Sequence, residues 1–87
     1  MRVQIMFLPR FLKEMKRLER ALQEEAVEKI GLFKDSANHR ALKVHRLHGP
    51  LKGRYSFSIN YRYRIVFKYI SKSEVAFLTV GDHAIYQ

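Results

Sequence analysis

The sequence predicts an α+β domain: a strand, a helical hairpin, then a three-stranded antiparallel meander, forming a four-stranded sheet with the helices on one face. Apolar residues recur at spacings of three and four from Leu8 to Phe33, the period of an amphipathic helix. From Tyr55 onward the period becomes two, the pattern of strands with one buried face. Glycine, proline and small polar residues punctuate the chain between and within these regions. A helix with one apolar stripe must cover a surface, and a sheet supplies it.

Residues 2–7 place Val3, Ile5 and Phe7 on one side and predict the first strand. Pro9 suits the first turn of a helix, where its missing N–H costs nothing. Leu8, Phe11, Leu12, Met15, Leu18 and Leu22 make one stripe, and Leu22, Ala26, Ile30 and Phe33 a second. Periodicity alone leaves open whether these are one long helix or two. Asp35, Ser36 and Asn38 end the helical pattern, and His48-Gly49-Pro50 and Lys52-Gly53 mark loops. Residues 54–60 and 61–70 then alternate, with a tight turn expected near Asn60-Tyr61. Ser71-Lys72-Ser73 is a second turn before a last strand over 74–80. Tyr63, Ile65 and Phe67 belong under the helices. Arg62, Arg64 and Lys68, beside Ser56 and Ser58, belong to the opposite face, with Val66 in its middle.

With 87 residues, 47% of them hydrophobic, the chain reads as a single domain over 1–87 that folds without staples. It has no cysteine, so disulfides and thiolate metal sites are excluded. No apolar run is long enough to span a bilayer. The start, Met1 to Phe7, is too short for a signal peptide, and a cytoplasmic location is expected. Seventeen Lys and Arg against eight Asp and Glu give +9. Beyond residue 38 the only acids are Glu74 and Asp82, so most of the excess lies in the second half. A field of that sign calls for a polyanionic partner.

His45 and His48 stand three apart, but no carboxylate cluster joins them, so no metal site is expected. No nucleophile motif or glycine-rich phosphate loop occurs, and no cofactor is expected. One chemistry fits this inventory, because RNA carries its own nucleophile, the 2′-hydroxyl. An enzyme need only accept its proton, stabilise charge on the phosphate and protonate the departing 5′-oxygen. Histidine moves protons near neutral pH, arginine grips phosphate oxygens and tyrosine stacks on bases. Arg64 on the central strand, with His83 and Tyr86 just past the last one, would supply those groups.

Leu47-His48-Gly49-Pro50-Leu51-Lys52-Gly53-Arg54-Tyr55-Ser56-Phe57-Ser58-Ile59, the strand Tyr63-Arg64-Ile65-Val66-Phe67 and the ending Gly81-Asp82-His83-Ala84-Ile85-Tyr86 together resemble the RelE/ParE superfamily of bacterial type II toxins. The resemblance covers nearly the whole chain. It implies that the helical stretch breaks near Glu19 to Ala21 into two antiparallel helices. It also implies a protein antitoxin as partner and one of two activities: metal-independent cleavage of mRNA, commonly on the ribosome, or poisoning of DNA gyrase. By that resemblance Arg64 sits at the scissile phosphate, His83 is the general acid and Tyr86 contacts RNA near the cut. His48 or His45 would stand in as base, and Lys52, Arg54, Arg62 and Lys68 would contact RNA. Ser56 and Ser58 depart from the basic residues that several nucleases of the superfamily carry on that strand. Three classes therefore remain in view: an mRNA endoribonuclease, a gyrase inhibitor, and a nucleic-acid-binding module without catalysis.

Overall fold

The computed structural model of the chain describes residues 1–82. Its elements are β1 (Gln4–Phe7), α1 (Pro9–Arg17), α2 (Arg20–Phe33), β2 (His45–Arg46), β3 (Tyr55–Ser58), β4 (Arg64–Tyr69) and β5 (Glu74–Gly81). The strands form one five-stranded sheet in the order β1-β5-β4-β3-β2. β1 runs parallel to β5, and the other neighbours are antiparallel. The α+β class, element order and helical hairpin are those expected, but the sheet has one more strand than the four predicted. The addition is β2, two residues long, pairing His45 with Ser56 and Arg46 with Tyr55. Two residues are too few to show a period, so the segment reads as loop in sequence. Lys43, at φ 59°, turns the chain into it.

The helical stretch breaks where the resemblance implied. Leu18 and Glu19 have ψ of 147° and 156°, extended values that no helix accommodates. Gln23 then reaches back from α2 and donates its Nε2 to the Met15 carbonyl at 2.8 Å, a second bond to an acceptor that already takes the Leu18 N–H at the end of α1. Pro9 occupies the first turn of α1 as expected. In α2 the whole predicted stripe, Leu22, Ala26, Ile30 and Phe33, is buried. In α1 only Phe11 is fully buried, and Leu12 is 47% exposed.

Phenylalanines from five elements, Phe11, Phe33, Phe57, Phe67 and Phe77, are buried in the core. Phe33 has no exposed surface and lies 4.5 Å from Phe57, 4.9 Å from Phe67 and 5.3 Å from Phe77, ring centre to ring centre. His39 stacks on its other side at 4.3 Å and donates its Nε2–H to the Phe33 carbonyl at 2.7 Å.

Strict alternation would send Val75, Phe77 and Thr79 of β5 to one face. Instead Val66 pairs with Thr79 while Phe67 pairs with Phe77, so Leu78 is the extra residue of a β-bulge. Val75, Phe77 and Val80 therefore face the core. β1 ends beside Phe77, leaving the upper edge of β5 without a strand. Helix α1 closes it. Leu8 donates its backbone N–H to the Phe77 carbonyl at 3.3 Å. The Glu14 carboxylate accepts from Val80 N at 3.1 Å and from the Thr79 hydroxyl at 2.6 Å. A side chain thus supplies the acceptor that a neighbouring strand would have provided.

Two variants test this packing by urea unfolding. Phe33→Ala is expected to cost ~3–5 kcal/mol, the range for deleting a buried aromatic ring. Glu14→Ala is expected to cost ~1–3 kcal/mol by stranding the Val80 and Thr79 donors. Both should lower the transition midpoint with little change in slope, and a wild-type midpoint for Glu14→Ala would show that water replaces the carboxylate at no cost.

Candidate nucleic-acid interface

Strand register sorts the side chains into two faces. His45, Ser56, Val66 and Thr79 lie in register across β2 to β5, and Ser58, Arg64 and Gly81 form a second row two residues further along. These rows belong to the face turned away from the helices, the outer face. Its centre is dry: Ser56, Val66 and Ala76 are all buried. Ser56 and Ser58 lie on this face as expected, Ser56 enclosed and Ser58 partly open.

Arg64 sits on this face, half-buried, and its Nη1 donates to the Ser58 hydroxyl. No carboxylate among the described residues lies within ion-pairing distance of it. A neutral hydroxyl thus orients the guanidinium without neutralising it, which leaves its charge for an anionic ligand. Lys68 is exposed on the same face toward the far end of β4. His45 is exposed on the edge strand of the same face. Its Nδ1 lies 2.9 Å from the Lys43 carbonyl. A carbonyl only accepts, so Nδ1 carries the proton and Nε2 is the basic nitrogen of the neutral ring.

Arg62 is not a strand residue beside Arg64, contrary to the alternation read from sequence. β3 ends at Ser58 and β4 begins at Arg64, and the Ile59 N–H bonds the Tyr63 carbonyl at 2.9 Å, so the expected turn near Asn60-Tyr61 joins the hairpin and Arg62 falls within it. Asn60 organises this turn. Its Oδ1 accepts from Arg62 N at 2.9 Å and Tyr63 N at 2.8 Å, while its Nδ2 donates to Glu25 of α2 at 3.0 Å. These side-chain bonds add to the backbone bonds that Ile59 N and Asn60 N make to the Tyr63 carbonyl. Arg62 lies over the Tyr63 ring at 5.6 Å and pairs with Asp82 at 3.8 Å. Both partners are exposed enough that the pair itself adds little stability. Its consequence is positional, because Gly81 already pairs with Arg64 and Asp82 is thereby fixed beside the basic loop. His83 and Tyr86 follow directly but lie outside the described residues.

The remaining basic candidates gather at the opposite end of β3. The Leu47 N–H bonds the Arg54 carbonyl at 2.8 Å and closes a loop over residues 48–53. Gly49 and Gly53 adopt φ of 68° and 87°, values that strain other residues, and so allow the loop to fold back. His48, Lys52 and Arg54 are exposed on it. The structure does not bring His48 to Arg64, since the four residues from Arg54 to Ser58 span ~13 Å of strand. His45 shares the Arg64 face; His48 does not reach it. Three residues that the sequence reading did not single out as site candidates also meet here: Arg46, Tyr55 and Tyr69, the two tyrosines having been read only as part of the strand alternation. Arg46 Nη2 donates to the Tyr55 hydroxyl at 3.3 Å, and the two tyrosine rings stand edge to face at 5.0 Å. Burial, with Tyr55 adding to it, raises the Tyr69 phenol above its ordinary pKa, so it remains a protonated donor at neutral pH. Among the described residues no group of His, Asp and Glu is arranged to hold a metal ion. No helix among them is long and apolar enough to cross a membrane.

Asn60→Ala is expected to cost ~1–2 kcal/mol and to speed amide exchange at Arg62 and Tyr63 without affecting β1. Unchanged exchange in the 59–63 loop would show that backbone turns alone hold it.

The profile of the ParE-like toxin domain matches residues 20–87. No curated protein is a significant sequence match. Among solved structures, YafQ from E. coli superposes with a TM-score of 0.77 at 16% identity, covering 97% of each chain. The RelBE2 toxin–antitoxin complex from Mycobacterium tuberculosis gives 0.73 at 17% identity, covering 95% of this chain and all of that one. The YoeB–YefM complex from Staphylococcus aureus gives 0.69 at 21% identity over 95% and 99%.

Proposed function

Because this chain belongs to the ParE-like toxin domain family, we propose that it is the toxin of a toxin–antitoxin pair and that it cleaves mRNA without a metal, on the ribosome. The observation that carries the reading is Arg64: a guanidinium held by a neutral hydroxyl, unopposed by any described carboxylate, and paired in register with Gly81 of β5.

In this mechanism the RNA 2′-oxygen attacks the adjacent phosphorus and its proton passes to a base. His45 suits that role better than His48, because it shares the Arg64 face and its Nε2 is the basic nitrogen. Arg64 stabilises the charge that builds on the non-bridging oxygens. His83 protonates the departing 5′-oxygen and Tyr86 steadies the adjoining nucleotide. The P–O5′ bond breaks, leaving a 2′,3′-cyclic phosphate and a 5′-hydroxyl. Lys52, Arg54, Arg62 and Lys68 draw the polyanion in, with the overall +9 charge behind them.

An antitoxin is the expected protein partner, and two of the similar structures are toxin–antitoxin complexes. An apolar groove of ≈ 400 Å³ between α1 and α2, lined by Phe7, Leu12, Met15 and Val27 among others, fits the apolar face of an amphipathic helix. Gyrase inhibition is the second reading. The matching profile is that of ParE-like toxins, and Ser56 and Ser58 stand where several nucleases of the superfamily are basic.

Primer extension on mRNA in a translating extract tests the reading. Wild type should produce new cuts. His83→Ala is expected to slow them ~10²–10⁴-fold, the usual share of an acid–base group, and Arg64→Gln ~10²–10³-fold, that of a charge-stabilising donor. Intact mRNA with wild type, together with blocked supercoiling by gyrase, would replace this reading by the second.

A further inference from the structure

The groove beside the 48–53 loop lies on the other face of the sheet from Arg64 and plays no part in the chemistry above. Tyr55 and Tyr69 flank Phe67 on the helix-side face, at the end of β4 remote from Arg64. The core holds them rigidly: Tyr55 lies flat against Phe67 at 5.7 Å, and Tyr69 stands edge-on to Phe67 at 5.6 Å and to Tyr55 at 5.0 Å. The result is an aromatic corner in which Tyr69, as a residue, is 40% exposed.

Arg46 closes one side, its guanidinium 5.8 Å from the centre of the Tyr55 ring. Lys52 and His48 close another. The glycines at 49 and 53 keep the loop wall thin, with open space where their side chains would stand. The enclosed volume is ≈ 500 Å³, and no carboxylate lines it among the described residues. That volume lies within the ~300–1,000 Å³ of small-ligand sites. A flat ring fits the aromatic corner, and an anion attached to that ring fits the cations.

We propose that this groove binds one nucleotide of single-stranded RNA, its base stacked on Tyr69 and its phosphate between Arg46 and Lys52. The identification of the polymer as RNA rests on the nuclease reading. The five residues from Arg64 to Tyr69 span ~17 Å of strand, so the nucleotide bound here flanks the cut and is not the one cleaved. The groove grips substrate; it does not act on it.

The test uses the full chain and a labelled oligoribonucleotide with 2′-O-methyl groups, which binds but lacks the nucleophile. Tyr69→Leu is expected to weaken binding ~5–100-fold, the range for losing one base–aromatic stack, with the salt dependence unchanged. Tyr69→Phe keeps the ring and should bind as wild type does. Arg46→Gln should weaken binding and flatten the plot of log K against log salt by ~0.7, one phosphate contact on a single strand. Lys16→Gln, on the exposed side of α1, removes a charge away from the groove and serves as reference. In cleavage assays Tyr69→Leu and Arg46→Gln should raise KM and leave kcat at the wild-type value.

Binding by Tyr69→Leu and Arg46→Gln no weaker than by Lys16→Gln overturns the proposal. Normal cleavage with an unmoved KM in both variants overturns it too and leaves the nuclease reading standing. A wild-type chain that cuts nothing, while both groove variants still lose affinity, removes the nuclease reading and supports the groove.

Discussion

β5 is bonded on both sides, to β1 in parallel and to β4 antiparallel, and the bulge at Leu78 sets where each of its side chains points. Phe77 and Val80 face the core because of that bulge, and α1 packs against the result. The edge that β1 leaves open is closed by Glu14 from α1. Past the bulge, Gly81 falls opposite Arg64, so the same register that completes the core also places Gly81 on the outer face. Shifting β5 by one residue would exchange its faces, sending Phe77 to water and uncoupling α1 from the sheet.

The charge of the molecule has an internal logic as well. Several of its acids are engaged in local structure: Glu14 at the β5 edge, Glu25 on Asn60, Asp35 at the turn after α2, Asp82 on Arg62. The hydrogen bond from Ala37 N holds Asp35 below its ordinary pKa, with the chain's amino terminus 3.7 Å away adding to the effect. Arg64, Lys68, Lys52 and Arg54 have no described acid beside them. A nearly even balance in the first half and a basic excess in the second thus become, in three dimensions, acids placed for folding and bases placed for a ligand.

Much of the fold was legible in the sequence because periodicity reports burial directly. The α2 stripe, the β3 and β4 alternation and the phenylalanine core all follow from it, and Pro9 marks the start of α1. Where a contact depends on one residue, the pattern was silent. β2 is too short to show a period, and an extra residue in β5 looks like ordinary alternation until its partner is known. Arg62 seemed to continue the β4 alternation because nothing local revealed that Asn60 bonds its own loop and α2. The candidate site was legible only in residue types. Arginine and histidine could be named, but their faces could not.

By itself the sequence determined the class, the element order, the helix–sheet layering and a strongly basic character, since each is a sum over many residues. Tertiary structure alone decided that Arg64 and His45 share a face while His48 faces elsewhere, that Glu14 acts as an edge partner, and that Arg46, Tyr55 and Tyr69 enclose a groove. Those outcomes depend on strand register, and register is fixed by long-range pairs whose members carry no mark of one another in a single chain.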